Sequence, residues 1–176
     1  MKKLLIAAAL IFAGPALAET AAFGLKIGKS TVDDARSTYR LTSVSHQSGY
    51  EWFHLEGAEA DGLTNVLVIA DGDSIIHGVV TQWRKSEFDV LLSKLTQQYK
   101  LLAKDIPANG DKSAVFVDGD VVIVLLSPQA KPNAGLIYGT SRMMDEGFSA
   151  PDLDTAPGRN QNSASSSSDA GSASYR

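Results

Sequence analysis

The stretch Val66–Val80, "VLVIADGDSIIHGVV", decides how the chain is read, because it sets Asp-Gly-Asp between two apolar runs. "FVDGDVV", residues 116–122, repeats the arrangement. Asp-Gly between β-branched runs is a strong short-range hairpin signal, since a tight two-residue turn needs positive φ and Asp and Gly tolerate it. With Asp71-Gly72 at the turn centre, Ala70 pairs with Asp73, Val68 with Ile75 and Val66 with His77. With Asp118-Gly119 there, Val117 pairs with Asp120 and Val115 with Val122. Both registers set apolar residues opposite one another, as cross-strand packing requires.

The same carboxylates do not make a calcium site. Calcium takes about six or more oxygen ligands, and each turn offers two carboxylates. The acidic loop with Glu56, Glu59 and Asp61 falls at the far end of the strand before Asp71, roughly 20 Å away at about 3.3 Å per residue. No metal and no cofactor is expected.

On either side of these turns, "RLTSVSH", "YEWFHLE", "TNVLVIA", "SIIHGVVTQW", "SAVFV", "VVIVLLS" and "GLIYGT" read as strands bounded by Gly, Asp, Asn or Pro. Two segments read as helices. In "KSEFDVLLSKLTQQYKLL", residues 85–102, Phe88, Leu91, Leu92, Leu95, Tyr99 and Leu102 form one apolar stripe behind Ser86 as N-cap. In "KSTVDDARSTY", residues 29–39, Ser30 is the expected N-cap, and Asp33 and Asp34 in the first turn suit the helix dipole. The expected fold is therefore α+β: an antiparallel sheet with two amphipathic helices on one face, parsed as helix-plus-strands units at 29–84 and 85–140 within a single domain, 19–148.

The ends carry different information. "MKKLLIAAALIFAGPALA", residues 1–18, has the basic start, short apolar run and small-x-small close of a cleavable signal peptide, with cleavage expected after Ala18. A bacterial periplasmic destination follows. The chain has no cysteine, which excludes a lipoprotein anchor, disulfides and thiol chemistry. Residues 149–176, rich in Ser, Ala and Gly, hold too few large apolar side chains to offset ordering entropy and read as a disordered tail. Without Lys2 and Lys3 the sixteen basic residues become fourteen against twenty acidic ones, a balance that disfavours nucleic acid and anionic lipid.

Catalytic signatures are scarce. Neither a phosphate-cradling Gly loop nor a nucleophile elbow occurs. His54 and His77, with Ser45 or Ser74 as nucleophile, leave a small hydrolase as an alternative, and a small-ligand binder is another. Strand alternation points elsewhere: Phe53 and Leu55 share one face of their strand, while Tyr50, Trp52 and His54 share the other, and Ile75, His77, Val79 and Trp83 fall together on theirs. With helices over Phe53 and Leu55, the residues Tyr50, Trp52, His54, His77 and Trp83 would form an aromatic binding face.

The entry "FGLKIGKSTVDDARSTY", with Gly24 through Tyr39 as Gly, apolar, Gly and a capped helix, resembles small exported bacterial proteins of the BamE and β-lactamase-inhibitor-protein type. The resemblance spans about residues 23–140. It implies an α+β fold that binds another protein through a sheet face. BamE-type lipid anchoring and the inhibitor's disulfides do not carry over to a chain without cysteine. The expectation is a soluble periplasmic module of inhibitor, immunity or assembly-accessory type, non-catalytic, whose partner is another periplasmic or envelope protein.

Overall fold

Strands account for just over half of the described residues. The computed structural model describes residues 20–146, and the expected signal peptide and C-terminal tail lie outside the described residues. A two-strand ribbon, β1 (Ala21–Ala22) and β2 (Leu25–Lys26), leads into α1 (Val32–Arg36). Four strands follow: β3 (Arg40–Gln47), β4 (Tyr50–Glu56), β5 (Leu63–Ala70) and β6 (Ile76–Arg84). A 3-10 turn, Lys85–Glu87, opens α2 (Phe88–Gln98), and β7 (Lys100–Asp105), β8 (Lys112–Asp118), β9 (Val121–Ser127), β10 (Asn133–Thr140) and α3 (Ser141–Asp145) complete the order. The main sheet has eight strands, β3-β4-β5-β6-β10-β9-β8-β7. The last strand of each half, β6 and β10, therefore pairs at the centre, and the first strand of each half lies at an edge.

This corrects the expected α+β fold with helices packed on the sheet. Strands make up 52% of the described residues against 19% helical, and the helices are short. The stripe from Phe88 to Leu102 is not one helix. Tyr99 turns extended, at φ −127° and ψ 156°, and the following residues pair with β8 as an edge strand. Phe88, Leu91 and Leu95 are buried as the stripe requires, whereas Leu102 on the strand is 56% exposed. The caps shift as well. Thr31, not Ser30, caps α1: its Oγ1 accepts the Asp34 N–H at 3.1 Å, and the Asp34 carboxylate accepts the Thr31 N–H at 2.8 Å. Ser86 makes no cap for α2; its hydroxyl donates to Glu87 at 3.3 Å.

Register then assigns each side chain to a face. One row runs Phe53, Val68, Val79, Tyr138, Ile123, Phe116 across six strands. These residues share a core with Val32 and Ala35 of α1 and with Phe88, Leu91 and Leu95 of α2. Burying each such Phe or Leu is worth about 1.5–3 kcal/mol, so this helix-covered face is the main source of stability. On the opposite face, here the back face, two rows cross seven of the eight strands, β4 to β7 in sheet order. The first is His54, Leu67, Val80, Ile137, Val124, Val115, Ala103; the second is Trp52, Ile69, Gly78, Gly139, Val122, Val117, Lys100.

Both Asp-Gly-Asp segments are hairpin corners, with registers displaced from the expected ones. Asp118 pairs with Val121, Val117 with Val122 and Phe116 with Ile123. The turn centre is thus Gly119-Asp120, where Gly119 takes the positive φ, 55°, that a tight hairpin demands. The first corner is longer. Ala70 pairs with Ile76 and Val68 with Val79, because Ile75 is drawn into a bridge with Thr31. The register shift between Ile69 and Ala70 leaves His77 as an extra residue in β6, a bulge that bends the strand and re-aims its side chain.

Candidate functional site

The first corner is built around Asp71. Its Oδ1 accepts the backbone N–H groups of Asp73 and Ile75, each at 3.0 Å, in the manner of a side chain completing its own turn. Its Oδ2 lies 2.9 Å from His77 Nε2. On the other side of the ring, His77 Nδ1 lies 3.2 Å from Thr140 Oγ1, and Thr140 is the N-cap of α3, accepting the Met143 N–H at 3.3 Å. A neutral imidazole protonated at Nε2 satisfies the whole chain: Met143 N–H to Thr140, Thr140 O–H to Nδ1, Nε2–H to Asp71. Burial alone would raise the Asp71 carboxyl, but the donors at Ile75, His77 and Asp73 together hold it below its ordinary value.

Beside this chain stands Tyr50, whose ring meets His77 edge-on at 5.9 Å between centroids and 72° between planes. Its hydroxyl donates to Glu146 Oε2 at 2.6 Å, and Arg142 Nε donates to Glu146 Oε1 at 3.0 Å. Burial, and then the adjacent Glu146 carboxylate, push the Tyr50 phenol up to about 12. The same contacts, Tyr50 first and then Arg142, draw the Glu146 carboxyl down. Ser48, Tyr50, Asp71, Asp73, Arg142 and Glu146 line a polar cleft of about 520 Å³ at this corner.

Under the cleft lies the apolar part of the back face. Tyr50, Trp52, Leu67, Ile69, Val80 and Ile137 form one buried cluster with Met143 of α3. Gly78 and Gly139 face each other across β6 and β10, and a Cβ on either would come within 2.8 Å and 2.6 Å of the Met143 methyl. Only glycine at both positions leaves the notch that Met143 fills. Towards β9 and β8 the same rows continue as Val122, Val124, Val115 and Val117, which are half-buried.

The residues singled out from sequence are divided between the two faces. Tyr50 and Trp52 are 8% and 4% exposed on the back face, and the bulge brings His77 to the same side, against Tyr50. His54 is next along, half-buried, with Nδ1 3.9 Å from Glu56. It borders a smaller hollow of about 280 Å³ with Leu63 and Asn65. Trp83 lies on the helix-covered face, half-buried, its Nε1 donating to Thr81 Oγ1 at 2.7 Å. Sequence reasoning missed Thr140, Arg142, Met143 and Glu146. A Thr followed three residues later by paired methionines was the one usable sign of a capped turn.

No protein-family model matches the chain, and neither a curated protein nor a solved structure matches it. Among the described residues no helix is long and apolar enough to cross a membrane.

Proposed function

We propose that the chain is an exported, non-catalytic protein-binding module of the bacterial periplasm, of inhibitor, immunity or assembly-accessory type, that takes its partner on the back face. One observation carries this reading. An antiparallel sheet with one covered face ordinarily turns polar side chains outward on the other. In β8 and β9 the outward set is instead Val115, Val117, Val122, Val124 and Leu126, all half-buried, while the inward set, Ala114, Phe116, Ile123 and Leu125, is already buried against the helices. Contiguous apolar surface of this kind, rimmed here by Lys100, Asp105 and Ser113, is characteristic of interaction sites. The fitting partner is a folded protein with a complementary apolar surface.

The test is co-purification from periplasmic extract, followed by titration of the isolated partner against Val122→Lys and Val124→Lys. At least a tenfold loss of affinity with cooperative melting retained supports the face; unchanged affinity overturns it. A second reading, a small hydrolase, is favoured by the Asp71–His77–Thr140 chain, which has the order of a carboxylate–imidazole–hydroxyl relay. Against it, the Thr140 oxygen already accepts the Met143 N–H as the cap of α3. Ester, phosphate and glycoside turnover abolished by His77→Ala would favour the hydrolase.

A further inference from the structure

By register the back face is one apolar surface, yet its two halves differ in cover. Around Met143 the residues Trp52, Leu67, Ile69, Val80 and Ile137 are buried, whereas Val115, Val117, Val122 and Val124 are only partly buried. Among the described residues, the element over the buried half is α3, a helix of five residues. That is far below the length at which a helix holds by itself, roughly 12–15 residues, so its position depends on its contacts. Thr140 ties its start to His77, and Ser141 donates its N–H at 2.8 Å and its hydroxyl at 3.0 Å to the Asp120 carbonyl; Met143, the only buried residue of α3, fills the notch between Gly78 and Gly139, with Met144 packed on the same cluster; and Glu146 at its end accepts the Tyr50 hydroxyl of β4. Apart from the two methionines these are polar contacts at the rim, which water can replace. What they hold down includes a tyrosine and a tryptophan, the residue types richest in binding energy at interfaces.

We infer that α3 is a displaceable strap: released, it extends the apolar surface from the valines of β8 and β9 onto Tyr50 and Trp52. Elements that open for binding are drawn from the low-stability end of a fold, and a five-residue helix held by two methionines and rim hydrogen bonds belongs there. That a partner exploits the uncovered half rests on the binding reading above; that the strap opens does not.

The experiment uses the purified full chain with Trp83→Phe, so that Trp52 is the one tryptophan. Met143→Ser combined with Glu146→Gln removes the apolar anchor and weakens the far latch. Gly139→Ala fills the notch without altering α3 and serves as the second variant. The expected result is a red shift of Trp52 emission, a several-fold rise in acrylamide quenching and in binding of anilinonaphthalene sulfonate, with far-UV circular dichroism and cooperative melting retained. If Trp52 stays as shielded as in the parent in both variants, α3 is not the cover and the inference fails. If Trp52 is exposed only together with loss of the cooperative transition, α3 is an integral part of the core and the inference fails equally. No partner is present in these measurements, so an unsuccessful partner search leaves their outcome intact.

Discussion

His77 Nε2 sits 2.9 Å from Asp71 Oδ2, and this bond joins the two least regular features of β6: the wide corner before it and the bulge within it. Asp71 spends its other oxygen on the corner's own backbone. One carboxylate thus closes the turn and fixes the ring that reaches α3.

Replacement of Asp71 separates those roles. Asp71→Ala leaves two backbone N–H groups and the imidazole without their acceptor and should cost about 2–3 kcal/mol. Asp71→Asn keeps one oxygen for the backbone and should cost about 1 kcal/mol. The carboxyl is held below its ordinary value in the folded protein, so its contribution is complete above the ordinary carboxylate range, about pH 4, and is lost as pH falls through the depressed value. Melting curves from pH 6 to pH 3 should therefore show a smaller acid-induced fall for Asp71→Asn than for the parent. Parallel curves would remove Asp71 from the acid response.

Gly139→Ala and Met143→Ala should be strongly coupled. A Cβ at residue 139 meets the Met143 methyl at 2.6 Å and the Met144 Sδ and Cγ at 3.0 and 3.3 Å, so the cost is that of overpacking, about 1–3 kcal/mol. With Met143 already cut back to Ala the closest contact is gone and Met144 alone has to yield, so the cost of Gly139→Ala should fall by about 1 kcal/mol. Urea denaturation of the two single variants and the double variant measures the difference. Additive effects would mean that Met143 does not occupy the notch.

β6 also shows how far the amino-acid sequence could be read. Its strand character, and the presence of a corner at Asp71, follow from β-branched alternation and from Asp-Gly. The faces do not, because alternation counted from Ile75 sets His77 with Val79 and Trp83. The bulge breaks that count: His77 turns to the back face beside Tyr50, while Val79 opposite Val68, and with it Trp83, stays under the helices. Its origin is the bridge from Ile75 to Thr31, a contact between distant residues that no local pattern announces. β7 was hidden for a related reason. Leu102 continues the spacing of the α2 stripe, and only pairing with β8 makes that segment a strand. α3 was hidden by its length, too short to show a period.

Lys85 offers a check on the link between the halves. Its ammonium donates to three backbone carbonyls, Pro128 at 2.8 Å, Gln129 at 2.9 Å and Lys131 at 3.1 Å, holding the loop between β9 and β10 against the start of α2. Lys85→Met keeps the stem and removes the donors. Because the site is exposed, water takes up the carbonyls, and the loss should be about 1 kcal/mol, with faster amide exchange confined to residues 129–133. Lys85→Arg should not restore protection, since a planar guanidinium cannot converge on three carbonyls as a rotating ammonium does. Full rescue by Arg would show that charge alone holds the loop.

The phenol of Tyr50 reports on the end of α3. Burial is the larger cause of its rise to about 12, and the Glu146 carboxylate the next. Glu146→Gln removes the second cause and leaves the first. Tyrosine absorbance titrated between pH 9 and pH 12.5, with Tyr50→Phe subtracted to isolate the residue, should show Tyr50 ionising earlier in Glu146→Gln than in the parent, yet still later than an ordinary tyrosine near pH 10. A midpoint falling all the way to the ordinary value would mean that the Glu146 contact, by keeping α3 in place, is also what keeps Tyr50 buried. An unmoved midpoint would mean that Glu146 does not hold the phenol in solution.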